Sequence, residues 1–341
     1  MDWRRGYTST IRLYSVDQST WGDGVEIDGL ASASITKDTD SSLIEDADIT
    51  IDGPPIKGYV RIALEAKNNS EMERVDLGTF LVTTPKKSIS GERITSELEC
   101  YSVLKPASDK VLPIGWYFPE GGDPIAGACE LLSESLTCPV IPVESDAKTE
   151  NVKIAENNET YLSMAQYLLT DTGWYISIDG RGIVTIKKER DDIVKTFDTF
   201  NNDVIIPDIE DENDIYSIPN ILRVTDSYGN CETIMNYDED SEISINNLGW
   251  EKWSAEQISL GFGETLIQKG NEKMEELSKS TRKISYSREF DPDVNLNDVA
   301  LYLLPHQGII GSFRIISQSI TIGDGVLIKE IAKFESRNWR S

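Results

Sequence analysis

Alternating apolar and polar residues run through the first hundred or so positions of this chain. In residues 93–100, one face of an extended strand carries Ile94, Ser96, Leu98 and Cys100. Residues 59–66 repeat the pattern, and their apolar face carries Val60, Ile62, Leu64 and Ala66. Turn-forming clusters at 52–55 and 90–91 separate such runs. Half-buried antiparallel strands at this spacing predict a small β-barrel or β-sandwich.

The next segment, residues 109–196, changes to helical periodicity. Asp123 is placed to cap a helix that starts at Pro124 and whose apolar face carries Ile125, Ala128, Cys129 and Leu132. A second helix is predicted by the spacing i, i+3, i+4, i+7 of Tyr161, Met164, Ala165 and Leu168. Gly173 stands just past its end, where a glycine often terminates a helix. The turn at 179–182 (Asp-Gly-Arg-Gly) lies between two β-rich stretches and predicts a hairpin. We therefore predict a small α+β module here.

Strands return in the third region, which begins near residue 197. An acidic loop is predicted from Asp208 to Asp214, followed by a strand at 220–225 that returns at 231–235. Ser254 with Gln257 fits a capping box, so we predict that a helix rich in Glu and Lys follows it, carrying Leu266, Ile267, Met274 and Leu277. The last strands are predicted at 284–290, 299–304, 309–322 and 326–334.

Length and charge narrow the class of protein. A chain of 341 residues predicts two or three domains, large enough to bury cores without disulfide or metal support. Lys and Arg number 33 against 59 Asp and Glu, which gives a net charge of −26. Such a surface repels nucleic acid, because affinity for DNA comes largely from cations that meet phosphates. Two interpretations of this negative charge stay open. The charge keeps the protein soluble, or it forms a surface that lets a polyanion pass without binding it.

Targeting signals are not found in the sequence. No stretch approaches the roughly 20 apolar residues of a membrane-spanning helix. Residues 1–7 contain two arginines with no apolar run behind them, so they are not a secretory signal. We expect the protein to be made and folded in a cytoplasm.

Cysteine and histidine offer little reactive chemistry. The four cysteines (Cys100, Cys129, Cys138 and Cys231) form no CxxC pair, and buried free thiols are favoured over a disulfide between Cys129 and Cys138. The single histidine, His306, follows Pro305 and is typical of a turn. A Ser-His-Asp or Cys-His mechanism would depend on this one residue.

Motifs for cofactors and metals are also missing. The nearest calcium-like pattern, residues 236–240, has Ser241 where the loop needs Gly and Asn247 where it needs a bidentate Glu, so an ordinary acidic loop is favoured. Four tryptophans lie in or near loops, where core or interface packing is favoured over sugar stacking: Trp3, Trp21, Trp250 and Trp253. We predict no catalytic, cofactor-binding or metal-binding residue, no cofactor and no enzymatic activity.

Several short motifs, in order along the chain, resemble one known family. Residues 77–82 (Leu-Gly-Thr-Phe-Leu-Val) and 99–106 (Glu-Cys-Tyr-Ser-Val-Leu-Lys-Pro) resemble the N-terminal barrel of phage tail hub proteins. Residues 112–117 (Leu-Pro-Ile-Gly-Trp-Tyr), with Asp123 and Pro124, are similar to the start of that family's middle module. Four segments near the end of the sequence resemble the closing strands of these hubs: residues 292–294, 297–299, 308–311 and 314–320. The resemblance covers most of the chain.

This resemblance implies a fold and an assembly. Hubs of the family contain two tube-like β-barrel domains separated by smaller modules, and they form homotrimers whose six barrels make a pseudo-sixfold ring. By this resemblance, residues 1–108 are the first barrel, 109–196 the α+β middle module, and 197–341 the second barrel, in which a helical insertion at about 237–282 separates 197–236 from 283–341. The family has no catalytic motif.

The expected function is therefore that of a structural virion component, a baseplate hub in the tail of a phage or phage-like particle. Its ring would join the tail tube, or a distal tail protein, to a tail tip, spike or fibre protein. DNA would pass through the lumen without specific binding, and no membrane insertion is expected. Two alternatives stay open, a receptor- or carbohydrate-binding tail-tip protein and a tail-associated cell-wall hydrolase.

Overall fold

The computed structural model describes residues 8–67, 71–170, 172–198, 205–214, 218–226, 228–239, 241, 243–258, 260, 264–277, 282–323 and 325–334. The strands of these ranges are β1 (Thr8–Val16), β2 (Asp23–Glu26), β3 (Leu30–Asp38), β4 (Glu45–Ile51), β5 (Gly58–Lys67), β6 (Met72–Ser90), β7 (Arg93–Ser102), β8 (Tyr117–Phe118), β9 (Val140–Ile141), β10 (Lys153–Ile154), β11 (Trp174–Ile178), β12 (Val184–Lys188), β13 (Ile193–Asp198), β14 (Ile205–Glu212), β15 (Ile221–Thr225), β16 (Cys231–Met235), β17 (Trp253–Gln257), β18 (Lys283–Glu289), β19 (Val299–Leu304), β20 (Ile309–Ile322) and β21 (Val326–Phe334). The α-helices are α1 (Lys105–Asp109), α2 (Pro124–Ser135), α3 (Tyr161–Leu169), α4 (Ile245–Leu248) and α5 (Leu266–Leu277).

Most strands belong to one continuous sheet of 13 strands. Its main path has the order β14-β18-β21-β20-β3-β4-β7-β6-β5-β1-β2, and β19 joins β20 while β13 joins β19. The 14-residue strand β20 links the two strand-rich parts of the chain, because its residues 317–322 pair antiparallel with 33–38 of β3. We call residues 8–104 the N-terminal β region, 105–192 the middle module and 193–334 the C-terminal β region. Main-chain hydrogen bonds therefore join the two β regions directly.

The predicted class, mainly β with α+β insertions, is confirmed, but the described residues form no closed barrel. Within the described residues, the end strands of the main path, β14 and β2, each pair with a single strand. Strand β20 is long enough to pair in both regions, so the sheet continues from one region into the next instead of closing within each.

Two hydrophobic cores pack against this sheet. The first is formed by strands of the N-terminal β region, and four residues of the C-terminal β region complete it: Phe290, Ile320, Ile322 and Ile328. The second contains a group of aromatic rings whose neighbouring centroids lie 5.2–6.1 Å apart: Phe197, Tyr286, Tyr302 and Phe313. Because the C-terminal strands contribute to both cores, the two regions are stabilised together.

Strand β5 differs from its prediction, whereas β7 follows it. The predicted face of β7 is directed inwards, with Ser96, Leu98 and Cys100 buried. In β5 the predicted face is buried, and so is the opposite face, with Tyr59, Arg61 and Ala63. The second face is covered by Trp21, whose ring meets Tyr59 edge-on at 5.0 Å, and by the β11–β12 hairpin.

The middle module has the predicted helices and hairpin. Asp123 caps α2, and its side chain accepts hydrogen bonds from the main-chain N–H groups of Ile125 and Ala126. The N-terminus of α3 is held by a capping box between Thr160 and Ser163. The apolar faces of the two helices pack on each other and on the paired strands β11 and β12. None of the helices in the described ranges is long and apolar enough to cross a membrane.

A separate sheet projects from the C-terminal β region. Strand β15 pairs antiparallel with β16 and parallel with β17, and α5 covers one face of this sheet through Leu266 and Met274. We call β15–β17 with α5 the insertion sheet. The prediction of a capping box at Ser254 and Gln257 is wrong, because both residues lie in β17. The helix itself is confirmed, and Thr265 and Gln268 make the reciprocal capping bonds at its start.

The predicted acidic loop at Asp208–Asp214 is also wrong over most of its length. Strand β14 extends to Glu212 and pairs antiparallel with β18. Arg282 makes a bidentate ion pair with Asp211, at 2.8 and 3.0 Å. Acidic side chains are tolerated on such an edge strand because one side of it faces solvent.

Candidate functional site

Three parts of the chain meet around one cleft of about 1010 Å³. Its walls come from β3 and β4 of the N-terminal β region, from α3 and the β11–β12 hairpin of the middle module, and from β20 and residues 290–299 of the C-terminal β region. We call it the junction cleft. Because all three parts line it, its shape depends on how they dock.

The tip of the β11–β12 hairpin docks on the N-terminal β region through Arg61. Arg61 is fully buried, and its Nη2 donates to the main-chain oxygens of Trp21 at 3.2 Å and Arg181 at 3.0 Å. Its Nε donates to Oγ1 of Thr79 at 3.0 Å, and its Nη1 pairs with Asp23 at 2.6 Å. A buried charge is tolerated only when it is paired and hydrogen-bonded. The bond to Arg181 therefore depends on the hairpin tip staying in place, whereas the other three lie within the N-terminal β region.

Close approach of main chain to main chain also shapes this joint. Thr79 donates from Oγ1 to the carbonyl oxygen of Gly180 at 3.0 Å, and the indole N–H of Trp21 donates to that of Arg181 at 2.8 Å. A Cβ atom added to Gly180 would lie 1.7 Å from the carbonyl oxygen of Asp76. The turn therefore needs glycine at this position in order to dock.

A second joint connects the middle module to the C-terminal β region. Arg314, which is buried, pairs with Asp191 at 2.6 Å and donates to the main-chain oxygen of Arg190 at 3.1 Å. Next to it, Lys195 pairs with the buried Asp291. Each side of the middle module is thus held by a buried arginine.

A polar network lies inside the C-terminal β region, where the Arg288 guanidinium binds both carboxylate oxygens of Glu330, at 2.7 and 2.8 Å. Tyr286 donates to the same carboxylate at 2.6 Å and Gln318 at 2.7 Å, while the Tyr302 hydroxyl contacts that of Tyr286. Burial raises the pKa of both tyrosines, which keeps them neutral. Every charge in this network has a partner, so the network holds β18, β20 and β21 in register.

Glu45 is the least satisfied charged group of the junction cleft. It is 2% exposed, and its Oε2 lies 3.6 Å from Nζ of Lys37, its cross-strand neighbour. Its Oε1 has no hydrogen-bond partner among the described residues. Burial raises the pKa of this carboxyl to about 7, Lys37 opposes the rise, and Asp179 and Asp46 add to it.

The predicted free cysteines are confirmed in part. All four thiols are free, and Cys100, Cys129 and Cys138 are buried as predicted. Cys231 is exposed, because it begins β16, a strand that buries only Ile234. Burial raises the pKa of Cys100 and of Cys138 to about 12, so these thiols stay protonated.

His306 lies exposed in a 3-10 helix at Pro305–Gln307, as its turn pattern predicted. In the calcium-like motif, Asn236 is buried, donates to Oγ of Ser241 and accepts from the main-chain N–H of Asp238. These bonds fit the predicted ordinary loop. Within the described ranges, no group of three His, Cys, Asp or Glu residues is arranged to hold a metal ion.

Of the four tryptophans in or near loops, Trp21 packs in the core as predicted, and Trp3 lies outside the described residues. The other two are Trp253, 46% exposed at the start of β17 in the insertion sheet, and Trp250, 38% exposed in the segment that precedes this strand. The guanidinium of Arg223 lies 5.2 Å from the ring centre of Trp253. The face of this sheet opposite α5 is therefore a partly aromatic surface.

Sequence reasoning missed the groups that hold the junction together. Arg61 occupies a position that strand alternation assigns to solvent, and its partner Arg181 is 120 residues away in sequence. The alternation in β4 places Glu45 on the same face as Ala47, Ile49 and Ile51, all of which are buried. Two signals were available, this alternation and the turn at 179–182, whose two glycines permit close main-chain contact.

The fold is shared over its whole length with tail proteins of known structure. A tail protein from Neisseria meningitidis MC58 matches 96% of this chain and 97% of its own, with a TM-score of 0.69 and 12% identity. The 43 kDa tail protein of prophage MuSo2 from Shewanella oneidensis matches 97% and 99%, with a TM-score of 0.68 and 12% identity. Prophage tail protein gp18 from Listeria monocytogenes EGD-e matches 95% and 94%, with a TM-score of 0.54 and 11% identity.

The resemblance to tail proteins that the motifs indicated is confirmed at the level of the fold. A chain of the Francisella PdpA–VgrG complex is similar over 98% of this chain and 53% of its own, with a TM-score of 0.57 and 8% identity. No family model and no curated protein matches the sequence.

Proposed function

We propose that this chain is a structural hub of the tail or baseplate of a phage or phage-like particle. The observation that carries the proposal is the likeness of fold to the Neisseria and Shewanella tail proteins, which extends over 96% or more of each chain. We also propose that the hub has no catalytic role. The buried Arg61 and Arg314 joints fit a protein whose task is to keep several parts in a fixed arrangement.

The assembly that we propose is a homotrimeric ring in which each copy contributes two tube-like β domains. Within the described residues three strands of the main sheet pair with a single neighbour, β2 in the N-terminal β region and β13 and β14 in the C-terminal β region. Open edges at different places on one chain suit a head-to-tail contact, which closes into a ring when the rotation between copies allows it. Such contacts would also cover edges that otherwise favour aggregation.

The domain boundaries are part of this proposal. We propose residues 1–108 as the first tube-like domain, 109–196 as an α+β domain and 197–341 as the second tube-like domain; the α+β domain starts and ends four residues later than the middle module defined by the strands and helices. The sequence places the insertion at about 237–282. These bounds would separate β15, which begins at Ile221, and its partner β16 from the rest of the insertion sheet. We therefore propose 218–277 for the insertion.

The ring would stand between two kinds of partner. On one side it would meet the tail tube or a distal tail protein, and on the other a tail tip, spike or fibre protein. The net charge of −26 supports a lumen that DNA passes without sticking, because like charges repel. The hub would be assembled in the bacterial host cytoplasm and function in the virion tail.

Light scattering of the purified protein tests this assembly. The proposal predicts a mass three times the chain mass of 38.1 kDa. Val25, 76% exposed in edge strand β2, offers a matched test, because Val25→Asp should reduce the mass to that of a monomer. Ile114→Asp, at a fully exposed site of the middle module, is the control and should leave the mass unchanged. A monomer at every concentration of the unmodified protein contradicts the trimer.

A receptor- or carbohydrate-binding role is a second candidate, which the open face of the insertion sheet favours. Trp253 is partly exposed there and Trp250 is partly exposed just before β17, and aromatic rings of this kind are common in binding sites. Binding of the isolated protein to intact bacterial cells, lost in Trp253→Ala and kept in Tyr228→Ala, would support this role. Tyr228 is an exposed aromatic residue in the turn between β15 and β16. Absence of cell binding rejects the role.

A further inference from the structure

The junction cleft has the dimensions and the wall of a ligand site. Its volume of about 1010 Å³ is near the upper end of the range of roughly 300–1,000 Å³ that is typical of small-molecule sites. Three parts of the chain contribute to the wall, and Glu45, Asp179 and Gln318 are among its polar side chains. An occupant would therefore contact all three parts at once.

Glu45 supplies an acceptor that the described residues leave unused. Its side chain is almost completely buried and lines the cleft, and Oε1 has no partner among the described residues. Among the described residues, the other oxygen has only the ion pair with Lys37 at 3.6 Å, which is longer than a good charged hydrogen bond. A buried carboxylate in this state is costly, so a hydrogen-bond donor in the cleft would stabilise it.

The charges around Glu45 select the class of donor. Lys37 approaches it from β3, Asp46 is its neighbour in β4, and Asp179 comes from the hairpin of the middle module. Three acidic groups against one ammonium leave a local excess of negative charge. A cationic donor is therefore favoured over a neutral donor, and anions are disfavoured.

We propose that the junction cleft binds a protonated amine, which donates an N–H hydrogen bond to Oε1 of Glu45 and is further stabilised by the nearby carboxylate of Asp179. An ammonium group has three donors and no acceptor, which suits a site that offers carboxylate oxygens. The amine has two sources of the same chemistry, a free polyamine and a lysine side chain of another copy of this chain. In either case the occupant bridges the N-terminal β region, through Glu45, and the middle module, through Asp179. The proposal does not depend on the tail function.

Titration calorimetry with spermidine tests the free-amine source. The protein is kept in phosphate buffer at pH 8, and heats from NaCl at equal ionic strength are subtracted, because a chain of charge −26 attracts any cation. We expect one saturable site in the unmodified protein and a loss of affinity of about tenfold or more in Glu45→Gln. Glu97→Gln, which neutralises a carboxylate that is 60% exposed on β7, is the matched control and should bind like the unmodified protein.

Light scattering separates the lysine source. If spermidine does not bind but Glu45→Gln lowers the mass of the assembly while Glu97→Gln does not, the amine is a lysine of another copy. Equal spermidine binding by the unmodified protein and Glu45→Gln overturns the proposal. So does a lack of binding with an unchanged mass. If MgCl2 binds with the same dependence on Glu45, the occupant is a metal ion and the amine proposal is wrong.

Discussion

Replacing Glu45 by glutamine should change how the stability of the protein depends on pH. The carboxyl of Glu45 is 2% exposed, and burial, opposed by Lys37 and reinforced by Asp179 and Asp46, raises its pKa from 4.5 to about 7. Between these two values the folded chain keeps a proton that the unfolded chain has released. Stability from this group is therefore complete below pH 4.5, falls as the pH rises towards 7, and levels off above it.

The size of the effect follows from the width of this window. One pKa unit corresponds to about 1.36 kcal/mol, so the full window from 4.5 to 7 is worth about 3 kcal/mol. The isoelectric point of about 4.4 makes measurements near pH 4.5 impractical, because uncharged protein associates. When the pH rises from 5.5 to 8.5, we expect the unmodified protein to lose about 2 kcal/mol of unfolding free energy relative to Glu45→Gln.

Urea unfolding in amine-free buffers, followed by circular dichroism, measures this difference. Glu97→Gln is the control, because the Glu97 carboxylate is 60% exposed and pairs with the exposed Lys86. We expect that control to stay within about 0.5 kcal/mol of the unmodified protein at every pH. Parallel pH profiles for Glu45→Gln and the unmodified protein would refute the reasoning, since a carboxyl with an ordinary pKa gives no difference in this range.

Two further predictions concern the docked hairpin and the buried ion pair. Gly180→Ala should lower the unfolding free energy by about 3 kcal/mol or more, because a Cβ 1.7 Å from a carbonyl oxygen displaces the hairpin tip and leaves buried groups unpaired. The control is Gly53→Ala, whose added Cβ has no atom within 4 Å, and it should leave the unfolding free energy unchanged in the same urea experiment. Arg288→Met should cost about 3–5 kcal/mol, because it leaves Glu330 buried without its cation. Adding Glu330→Leu should recover part of that loss in a double-mutant cycle, whereas strict additivity of the two substitutions contradicts the pairing.

Local elements of this fold follow from local patterns. Strands β19, β20 and β21 have the predicted bounds, because their alternating residues face a core on one side. The helix after Asp123 and the hairpin around 179–182 are also as predicted, since a cap and a glycine turn act within a few residues. The capping pattern at Ser254 failed because long-range strand pairing overrides a weak local signal.

The arrangement of these elements depends on contacts that local patterns do not encode. The pairing of β20 with β3 joins residues almost three hundred positions apart, and it replaces the predicted closure of each barrel. In the same way, the burial of Arg61 depends on the docking of Arg181. Glu45 becomes a candidate binding group only when the three parts enclose the junction cleft.

Electron microscopy of the purified assembly tests the central claim, that this chain is a ring-forming tail hub, most directly. Class averages seen along the ring axis should show three copies enclosing a lumen, with six similar lobes arranged in pseudo-sixfold symmetry. Particles without a lumen, or closed rings built from a number of copies other than three, would contradict the account.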